Sequence, residues 1–324
     1  MRRTLALELV HATEFAALAA AWRMGRGEEQ ATFLASVSAL RDALTAARIE
    51  GRVVIGPAEA DVPHVFDLGG PPGNPPDPDR VDLTAIPLEG TGACAAGDPN
   101  ALSVVVATRT GTARPVPPVY MDKIAVGPGA AGAIDIEAPT AENLERIAKA
   151  LGFVVERLTV AILDRPRHRE LIRKVRERGA RIRLIKDGDV SAALALLVPE
   201  SGVDAVMGIG GALQGMIAAT ALRSGGGEVQ ARLVAANGEE REQIEAAGFG
   251  SPGAVLGADS FSSGDAIVAA TGITFGDALR GVRFNAGHAI THSMVVRADT
   301  GTIRFIESRI RLSVIERLLA AQPA

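Results

Sequence analysis

Residues 159–190 read TVAILDRPRHRELIRKVRERGARIRLIKDGDV, and this stretch indicates the class of fold. The apolar run at 159–163 predicts a strand, the periodic segment 169–178 predicts a helix, and the apolar run at 182–185 predicts a second strand. The alternation continues through a helix, a strand and a helix at 191–197, 205–208 and 212–223. Strands that alternate with helices in this way form a parallel sheet with helices on its faces. The sequence therefore predicts an α/β protein.

The earlier part of the chain has a different order of elements. It predicts two helices followed by several strands, and the segment 69–80, rich in Gly, Pro and Asp, predicts a surface loop. The helices are predicted at 13–24 and 28–47, and the strands at 52–55, 81–86, 101–108 and 123–126. A helix that starts at Thr140 and ends at Gly152 opens the alternating part. We therefore predict a domain boundary near Gly152, with domains at 1–152 and 153–324.

Composition excludes several classes of protein. The 324 residues carry a formal net charge of −4, which provides no basic surface for nucleic acid. The chain has no run of about 18 apolar residues, and Glu8 interrupts the N-terminal segment too early for a secretory signal. Cys94 is the only cysteine, so a disulfide within the chain is excluded. We expect a cytoplasmic protein that binds neither nucleic acid nor a membrane.

Polar residues and glycines directly follow three of the predicted strands. Arg165 and Arg167 follow the first, Asp187-Gly188-Asp189 follows the second, and the glycine-rich run 208–211 follows the third. Ligands of open parallel sheets bind at the carboxyl ends of the strands. Guanidinium groups bind phosphate, carboxylates accept hydrogen bonds from sugar hydroxyls, and glycines let a helix N-terminus approach an anion. A single turn of this kind could simply connect a strand to a helix, but three in succession favour a binding edge.

Seven short phrases, in order along the chain, resemble those of a known family. They are Gly25-Arg26-Gly27; Pro87-Leu88-Glu89-Gly90-Thr91; Tyr120-Met121-Asp122-Lys123 with Val126-Gly127-Pro128-Gly129; Arg165-Pro166-Arg167-His168; Asp187-Gly188-Asp189-Val190; Gly208-Ile209-Gly210-Gly211; and Ala270-Thr271-Gly272-Ile273-Thr274. With these phrases the chain resembles, over nearly its whole length, the class II fructose-1,6-bisphosphatases, which belong to the superfamily of metal-dependent sugar and inositol phosphatases.

The resemblance implies a layered α-β-α-β-α sandwich of two α/β domains with the active site between them. It also implies a small phosphorylated metabolite, such as a sugar phosphate, as ligand, and a homodimer or homotetramer. A structural partnership with an active paralogue is a further alternative. Arg165 stands where a lysine is usual, which preserves the positive charge. The implied substrate contacts are Glu89, Gly90, Thr91, Tyr120, Arg165, Pro166, Arg167, Asp187, Gly188, Asp189 and Gly211.

The metal-binding positions of the family are largely substituted in this chain. Family enzymes hydrolyse a phosphate monoester with divalent cations such as Mg²⁺ or Mn²⁺, which require oxygen ligands and several carboxylates. Of the five acidic positions only Glu89 remains, because the others are Phe33, Pro57, Ile86 and Gln214. We expect Phe33 and Ile86 to fill the vacated space with apolar packing. A single-metal site rebuilt around Glu89 stays open, and its nearby carboxylates in sequence are Glu28, Glu29, Glu59, Asp61 and Asp82.

These features favour a family member that binds a sugar phosphate, requires no cofactor and lacks ordinary metal-dependent phosphatase activity. The alternative is an active fructose-1,6-bisphosphatase, or a related sugar-bisphosphatase, that uses a relocated or single metal ion.

Three other residues or pairs are weaker candidates for a functional role. Cys94 is expected to be a small packed residue. His168 could contact a phosphate or lie exposed at a helix start, and His288 and His292 are poor evidence for a zinc site.

Overall fold

The structure is a computed structural model that describes residues 1–2, 4–47, 49–55, 65–69 and 79–320. The chain divides into two compact units. Unit 1 contains Met1–Thr112 and Gly264–Ala324, and unit 2 contains Ala113–Ser263. No helix in the described part of the chain is both long and apolar enough to cross a membrane.

Two helices and four strands build the N-terminal segment of unit 1, with a short helix after the third strand. These elements are α1 (Leu5–Ala21), α2 (Glu29–Ala46), β1 (Ile49–Ile55), β2 (Val65–Gly69), β3 (Asp79–Glu89), α3 (Thr91–Ala96) and β4 (Leu102–Arg109).

Unit 2 is one continuous segment of alternating strands and helices. Its elements are β5 (Tyr120–Val126), α4 (Thr140–Leu151), β6 (Thr159–Leu163), α5 (Arg169–Glu177), β7 (Arg181–Ile185), α6 (Asp189–Ala195), β8 (Ala205–Gly211), α7 (Ala212–Ser224), β9 (Glu228–Val234), α8 (Gly238–Ala246) and β10 (Leu256–Gly257). The chain then returns to unit 1 with β11 (Ala266–Gly272), β12 (Arg283–Asn285), β13 (His288–Arg297), β14 (Thr302–Arg311) and α9 (Leu312–Ala320).

Unit 1 is built on an eight-stranded sheet in the order β12-β13-β11-β4-β3-β1-β2, with β14 paired to β13. α1 packs on β3, β4, β11 and β13, and α2 packs on α1 and β3. Alanine and leucine dominate α1 and favour a helix. Leu9, Phe33, Leu40, Leu83 and Val105 are buried in the apolar core between these helices and the sheet.

Unit 2 is built on a six-stranded sheet in the order β10-β9-β5-β8-β6-β7. β6 is parallel to β7 and β8, as the alternating pattern predicted, but β5 is antiparallel to both β8 and β9. Residues of α4 and α5, including Leu144, Ile147 and Val175, pack on Ile124 and Met207 of the sheet. α4 ends at Gly152, which adopts a left-handed backbone conformation with φ of 68°.

The predicted domain boundary near Gly152 is wrong. Gly152 lies inside unit 2, between α4 and β6, and the last part of the predicted second domain belongs to the sheet of unit 1. The physical reason is that β11 pairs with β4 along its whole length, although more than 150 residues separate the two strands in sequence. The two ends of unit 2 are paired with each other, since the amide of Arg114 donates to the carbonyl oxygen of Phe261 at 2.8 Å.

The mixed α/β class with two sheets is confirmed, and most predicted elements are present with shifted ends. The first helix starts earlier, at Leu5, and β5 starts at Tyr120. β2 and α3 were not predicted. Most of the predicted loop at 69–80 lies outside the described residues, which resume at Asp79.

Candidate functional site

The predicted binding edge lies at one end of the unit 2 sheet. β6, β7 and β8 are parallel, and β5 runs antiparallel to β8 with Tyr120 opposite Gly211. The carboxyl ends of the three parallel strands therefore lie beside the beginning of β5. This edge carries all the predicted substrate-binding residues of unit 2, namely Tyr120, Arg165, Pro166, Arg167, Asp187, Gly188, Asp189 and Gly211.

The two arginines of this edge are oriented by backbone oxygens. Arg167 donates from Nε and Nη2 to the carbonyl oxygen of Ile209 at 3.1 and 2.8 Å, and its guanidinium carbon lies 5.0 Å from the centre of the Tyr120 ring. Arg165 donates from Nη1 to the carbonyl oxygen of Asp164 at 3.1 Å. Each guanidinium has five N–H donors, so both side chains keep donors for an anion. The edge therefore presents two positive charges to a ligand.

His168 ties two strands of the edge together. It is buried, its Nδ1 lies 2.7 Å from the carbonyl oxygen of Leu163, and the amide of Ile209 donates to its Nε2 at 2.8 Å. Because Nε2 accepts a hydrogen bond, Nδ1 carries the proton and donates to Leu163. Neither role predicted for His168, a phosphate contact or an exposed residue, is correct, because both ring nitrogens bind the backbone.

A buried ion pair lies behind the edge. Lys123 Nζ is 2.6 Å from Asp189 Oδ2, and both residues are buried. The pair lies against Gly210, where a Cβ atom would overlap Asp189 Oδ2 and approach Lys123 Nζ to 2.8 Å. A side chain at position 210 would therefore separate the two charges. Because a buried charge without its partner is strongly unfavourable, the pair fixes β5 and α6 relative to each other.

The Asp187-Gly188-Asp189 turn opens α6. Gly188 has φ of 88°, a left-handed conformation that side chains rarely adopt, and its amide donates to Asp187 Oδ1 at 3.1 Å. Asp189 uses Oδ2 for Lys123, so only its Oδ1 remains as a candidate acceptor for a sugar hydroxyl. Asp187 is half-buried and is the more accessible carboxylate of the turn.

The Glu89-Gly90-Thr91 phrase forms the turn between β3 and α3 in unit 1. Glu89 is buried at the end of β3, after an irregularity in the pairing with β4, and Thr91 begins α3. The glycine phrase at 25–27 supports this turn from outside, because the amides of Gly25 and Gly27 donate to the carbonyl oxygens of Cys94 and Ala95 in α3. Two of the seven recognisable phrases are thus parts of one local structure.

The two apolar residues that the resemblance places at metal-binding positions are buried, as expected from the sequence. Phe33 and Ile86 are both fully buried, and Phe33 belongs to the core of unit 1. Ser36, one helical turn after Phe33, donates to the carbonyl oxygen of Pro87 at 2.7 Å and holds α2 against this part of β3. A hydrated cation requires oxygen ligands and water, which buried phenyl and butyl side chains do not provide. Phe33 and Ile86 therefore cannot serve as ligands for the divalent metal ions that the family uses.

The remaining carboxylates are dispersed in the described residues. No group of three or more His, Cys, Asp or Glu side chains in that part of the chain could hold a metal ion. Asp82 accepts a hydrogen bond from the amide of Gly111 at 2.7 Å, and Glu28 pairs with Arg23 at 3.1 Å. Gln214 folds back over Gly211 at the start of α7. Three candidate positions, Pro57, Glu59 and Asp61, lie outside the described residues.

The other candidate residues have structural surroundings. Cys94 is buried in α3, and burial raises the pKa of its thiol to about 12, so the prediction of a packed residue is confirmed. His288 and His292 lie four residues apart on β13. A strand rises about 3.3 Å per residue, so the two rings are too far apart to share one zinc ion.

Sequence reasoning missed Lys123 as the partner of Asp189 behind the edge. The signal for Lys123 was a lysine followed by three apolar residues of the predicted strand, because a buried lysine needs a partner. Its partner, Asp189, was predicted to be a substrate-binding residue instead. Asp122, the next residue on β5, was also missed, and burial raises its pKa although Lys123 and Arg232 oppose the shift.

Comparison with known proteins identifies the family of the chain. A family model described as "Bacterial fructose-1,6-bisphosphatase, glpX-encoded" matches residues 3–310. The chain is 36% identical to the "D-fructose 1,6-bisphosphatase class 2/sedoheptulose 1,7-bisphosphatase" of Synechococcus elongatus over 332 aligned positions, which cover 95% of this chain and 96% of the relative. The protein of the same name from Microcystis aeruginosa has the same identity and coverage. The chain therefore belongs to the class II fructose-1,6-bisphosphatase family.

Proposed function

We propose that this family member binds a sugar phosphate at the unit 2 edge and does not hydrolyse it by the ordinary metal-dependent reaction. The observation that supports the proposal is the burial of Phe33 and Ile86, with Phe33 in the apolar core of unit 1, at two positions where the resemblance implies carboxylates. The chain would act as a pseudoenzyme, as a regulatory or partner subunit, or in altered chemistry. We propose a cytoplasmic location and no required cofactor.

The ligand class follows from the chemistry of the edge. Arg165 and Arg167 suit a phosphate group, because a guanidinium binds two phosphate oxygens at once. Tyr120 is half exposed and stacks on Arg167, so its ring offers an apolar face beside the charge. Asp187 can accept hydrogen bonds from hydroxyl groups. An anion with adjacent hydroxyls, as in a phosphorylated sugar, matches this set of groups better than an apolar metabolite does.

A thermal-shift titration with fructose 1,6-bisphosphate tests binding. We expect the melting temperature to rise with ligand concentration in the presence of EDTA, because binding to the folded state alone stabilises it. Arg167→Gln should abolish most of the shift. Arg176→Gln is the matched control, since Arg176 is an exposed arginine at the far end of α5. An equal shift in both variants would contradict the assignment of the phosphate site.

A phosphate-release assay tests the lack of hydrolysis. With fructose 1,6-bisphosphate or sedoheptulose 1,7-bisphosphate and Mn²⁺ or Mg²⁺, we expect no phosphate release above that of a Glu89→Gln variant. Metal-dependent release that Glu89→Gln removes would overturn this part of the proposal while leaving the binding site intact.

One observation favours a second candidate, a phosphatase with a relocated metal site. Glu29 lies one helical turn before Phe33 on α2, and its Oε1 atom is 3.6 Å from the position that a Cβ of Gly92 would occupy in α3. Glu29 therefore lies near the short helix that begins two residues after Glu89. If this candidate is correct, Glu29→Gln should reduce phosphate release as much as Glu89→Gln does, whereas Glu28→Gln should not.

A further inference from the structure

Unit 2 contains a pocket of about 110 Å³ between its sheet and the helices α4 and α5. None of the residues that line this pocket is a predicted sugar-phosphate contact. A cavity of about 150 Å³ admits benzene, so this pocket has room for about four to six non-hydrogen atoms. Its apolar walls include Ile124, Ile136, Leu171 and Met207, and its polar groups include those of Asp122 and Thr140.

One wall of the pocket is held in place by hydrogen bonds. Asn143 of α4 accepts from the amide of Asp135 at 2.8 Å and donates to the carbonyl oxygen of the same residue at 2.7 Å. Gln230 of β9 donates to the carbonyl oxygen of Ile134 at 2.8 Å and accepts from the amide of Ile136 at 2.9 Å. The turn that supplies Ile136 to the pocket is therefore fixed between α4 and β9.

The polar end of the pocket carries a carboxyl group without a side-chain partner. Asp122 and Lys123 are neighbours on β5 and point to opposite faces of the sheet, so the ammonium group that pairs with Asp189 lies on the other side. Among the described residues, the amide of Lys123 is the only hydrogen-bond donor to the Asp122 carboxyl group. Burial raises the pKa of this carboxyl above 3.8, although Lys123, Arg232 and His168 oppose the shift. The group therefore retains a proton more readily than an exposed aspartate does.

The surroundings of Asp122 favour an anion over a cation as ligand. Arg232 lies directly opposite Asp122 in the pairing of β5 with β9, and its Nε is buried with no hydrogen-bond partner among the described residues. Thr140 begins α4 after Pro139, which provides no side-chain cap, so the positive end of the helix dipole is free. Glu137 pairs with Arg232 at 3.4 Å but is exposed to solvent, which weakens its compensation of that charge.

We propose that this pocket binds a short-chain monocarboxylic acid, whose carboxyl group shares one proton with that of Asp122 and whose apolar end lies against Ile124 and Leu171. A protonated carboxyl group and a carboxylate form a short, strong hydrogen bond. One proton between the two groups leaves a single negative charge, which suits the neighbouring Arg232 and the N-terminus of α4. A phosphate dianion would place a second negative charge beside Asp122, and an ammonium ion would be repelled by the same positive surroundings.

Isothermal titration calorimetry with butyrate tests the pocket. n-Butylammonium and n-butanol are matched probes, because they carry the same chain with a positive charge or none. We expect butyrate to bind at least about tenfold more tightly than either probe. Ala138→Leu, which enlarges a lining residue, should abolish butyrate binding, whereas Ala131→Leu, at an exposed position outside the pocket, should not. Circular dichroism checks that both variants are folded.

The shared proton predicts a pH dependence that belongs to Asp122. Below the folded pKa of Asp122 the proton is already present, whereas above it binding must take up a proton from solvent. The affinity for butyrate should therefore fall at least about tenfold between about pH 5.5 and pH 8. In Asp122→Asn, whose amide group donates a hydrogen bond at either pH, the affinity should be the same at both.

Four results would overturn the inference. If butyrate does not bind, or binds no better than n-butylammonium, the pocket does not take carboxylic acids. Undiminished binding to folded Ala138→Leu, or its loss in Arg167→Gln, would place butyrate elsewhere, in the second case at the sugar-phosphate edge. An equal pH dependence in Asp122→Asn and the unaltered chain would show that another group holds the proton. The inference does not rest on the proposed function, so a chain that fails to bind fructose 1,6-bisphosphate would leave it untouched.

Discussion

The buried side chain of His168 hydrogen-bonds to the backbone of two neighbouring strands, where no strand-to-strand hydrogen bond joins these groups. Its ring bridges the carbonyl oxygen of Leu163 at the end of β6 and the amide of Ile209 in β8. Both backbone groups would lack this partner in a His168→Ala variant. A buried polar group left unsatisfied costs about 1–3 kcal/mol. We therefore expect the free energy of unfolding, measured in urea, to fall by at least that amount.

Arg169→Ala provides the matched control for this measurement. Arg169 is the next residue and is exposed at the start of α5, so its removal should change the unfolding free energy little. Equal unfolding midpoints for the two variants would show that the His168 bridge contributes nothing to stability.

Asp122 predicts a pH dependence of stability. Burial raises its pKa above the ordinary value of 3.8, so the folded chain holds this proton more tightly than the unfolded chain does. Stability contributed at this position is therefore highest below the ordinary pKa and is lost as the pH rises through the folded pKa. At pH 7, Asp122→Asn should unfold at a higher urea concentration than the unaltered protein.

The advantage of Asp122→Asn should shrink as the pH falls through the raised folded pKa of Asp122, and it should be absent below 3.8, where Asp122 is protonated in both states. Asp42→Asn, at an exposed position on α2, should show no such trend. A difference between Asp122→Asn and the unaltered protein that stays constant from pH 7 to low pH would contradict the assigned shift.

The positions of single side chains were predictable where they directly follow a strand of the parallel sheet. Arg165, Arg167 and Asp187 follow strands whose carboxyl ends form binding edges, so their position could be read from the order of elements. His168 could not be assigned, because its partners are backbone groups of Leu163 and Ile209 that lie 5 and 41 residues away. A histidine and a main-chain amide leave no complementary pattern in sequence.

β5 and α6 are joined by the Lys123–Asp189 pair, and this joint can be tested. Lys123→Met leaves the Asp189 carboxylate buried without its partner, which should lower the free energy of unfolding by about 3–5 kcal/mol. Adding Asp189→Leu removes the isolated charge and should recover part of that loss. Lys149→Met, at an exposed position on α4, is the control. A double variant less stable than Lys123→Met alone would show that packing, and not the unpaired charge, sets the cost.

The ends of β6, α5, α6 and α7 were predicted to within two residues. The direction of β5 in its sheet was not predicted. Local periodicity and glycine signals such as Gly152 and Gly179 lie within a few residues of the elements that they limit. The antiparallel direction of β5 depends on pairing with β8 and β9, which are more than 70 residues further along the chain. Sequence periodicity describes one strand at a time and carries no information about its neighbour.

The division of the chain into units gives a prediction about fragments. Residues 113–263 retain every strand of the unit 2 sheet, whereas residues 153–263 lack β5, which lies between β9 and β8. We expect the longer fragment to show one cooperative urea transition by circular dichroism, and the shorter one to show none. A cooperative transition for 153–263 alone would mean that β5 is dispensable and would support the boundary predicted near Gly152.

Family membership could be recognised from sequence because seven phrases kept their order, but the burial of Phe33 and Ile86 could be established only in the structure. In sequence, Phe33 and Ile86 are merely substitutions. In the structure they are fully buried, and Phe33 is part of the core that holds α1 and α2 to the sheet. Phe33→Asp would therefore place a charge in apolar surroundings and should destabilise the protein.

The burial of Cys94 has a practical consequence for experiments on this protein. The thiolate is the reactive form of cysteine, and a thiol with a pKa of about 12 is almost entirely protonated at neutral pH. The natural chain should therefore react very little with thiol reagents. A single cysteine introduced at a chosen surface position would take up a maleimide fluorophore or a spin label selectively, and ligand binding or assembly could be followed by fluorescence or electron resonance without first removing a native residue.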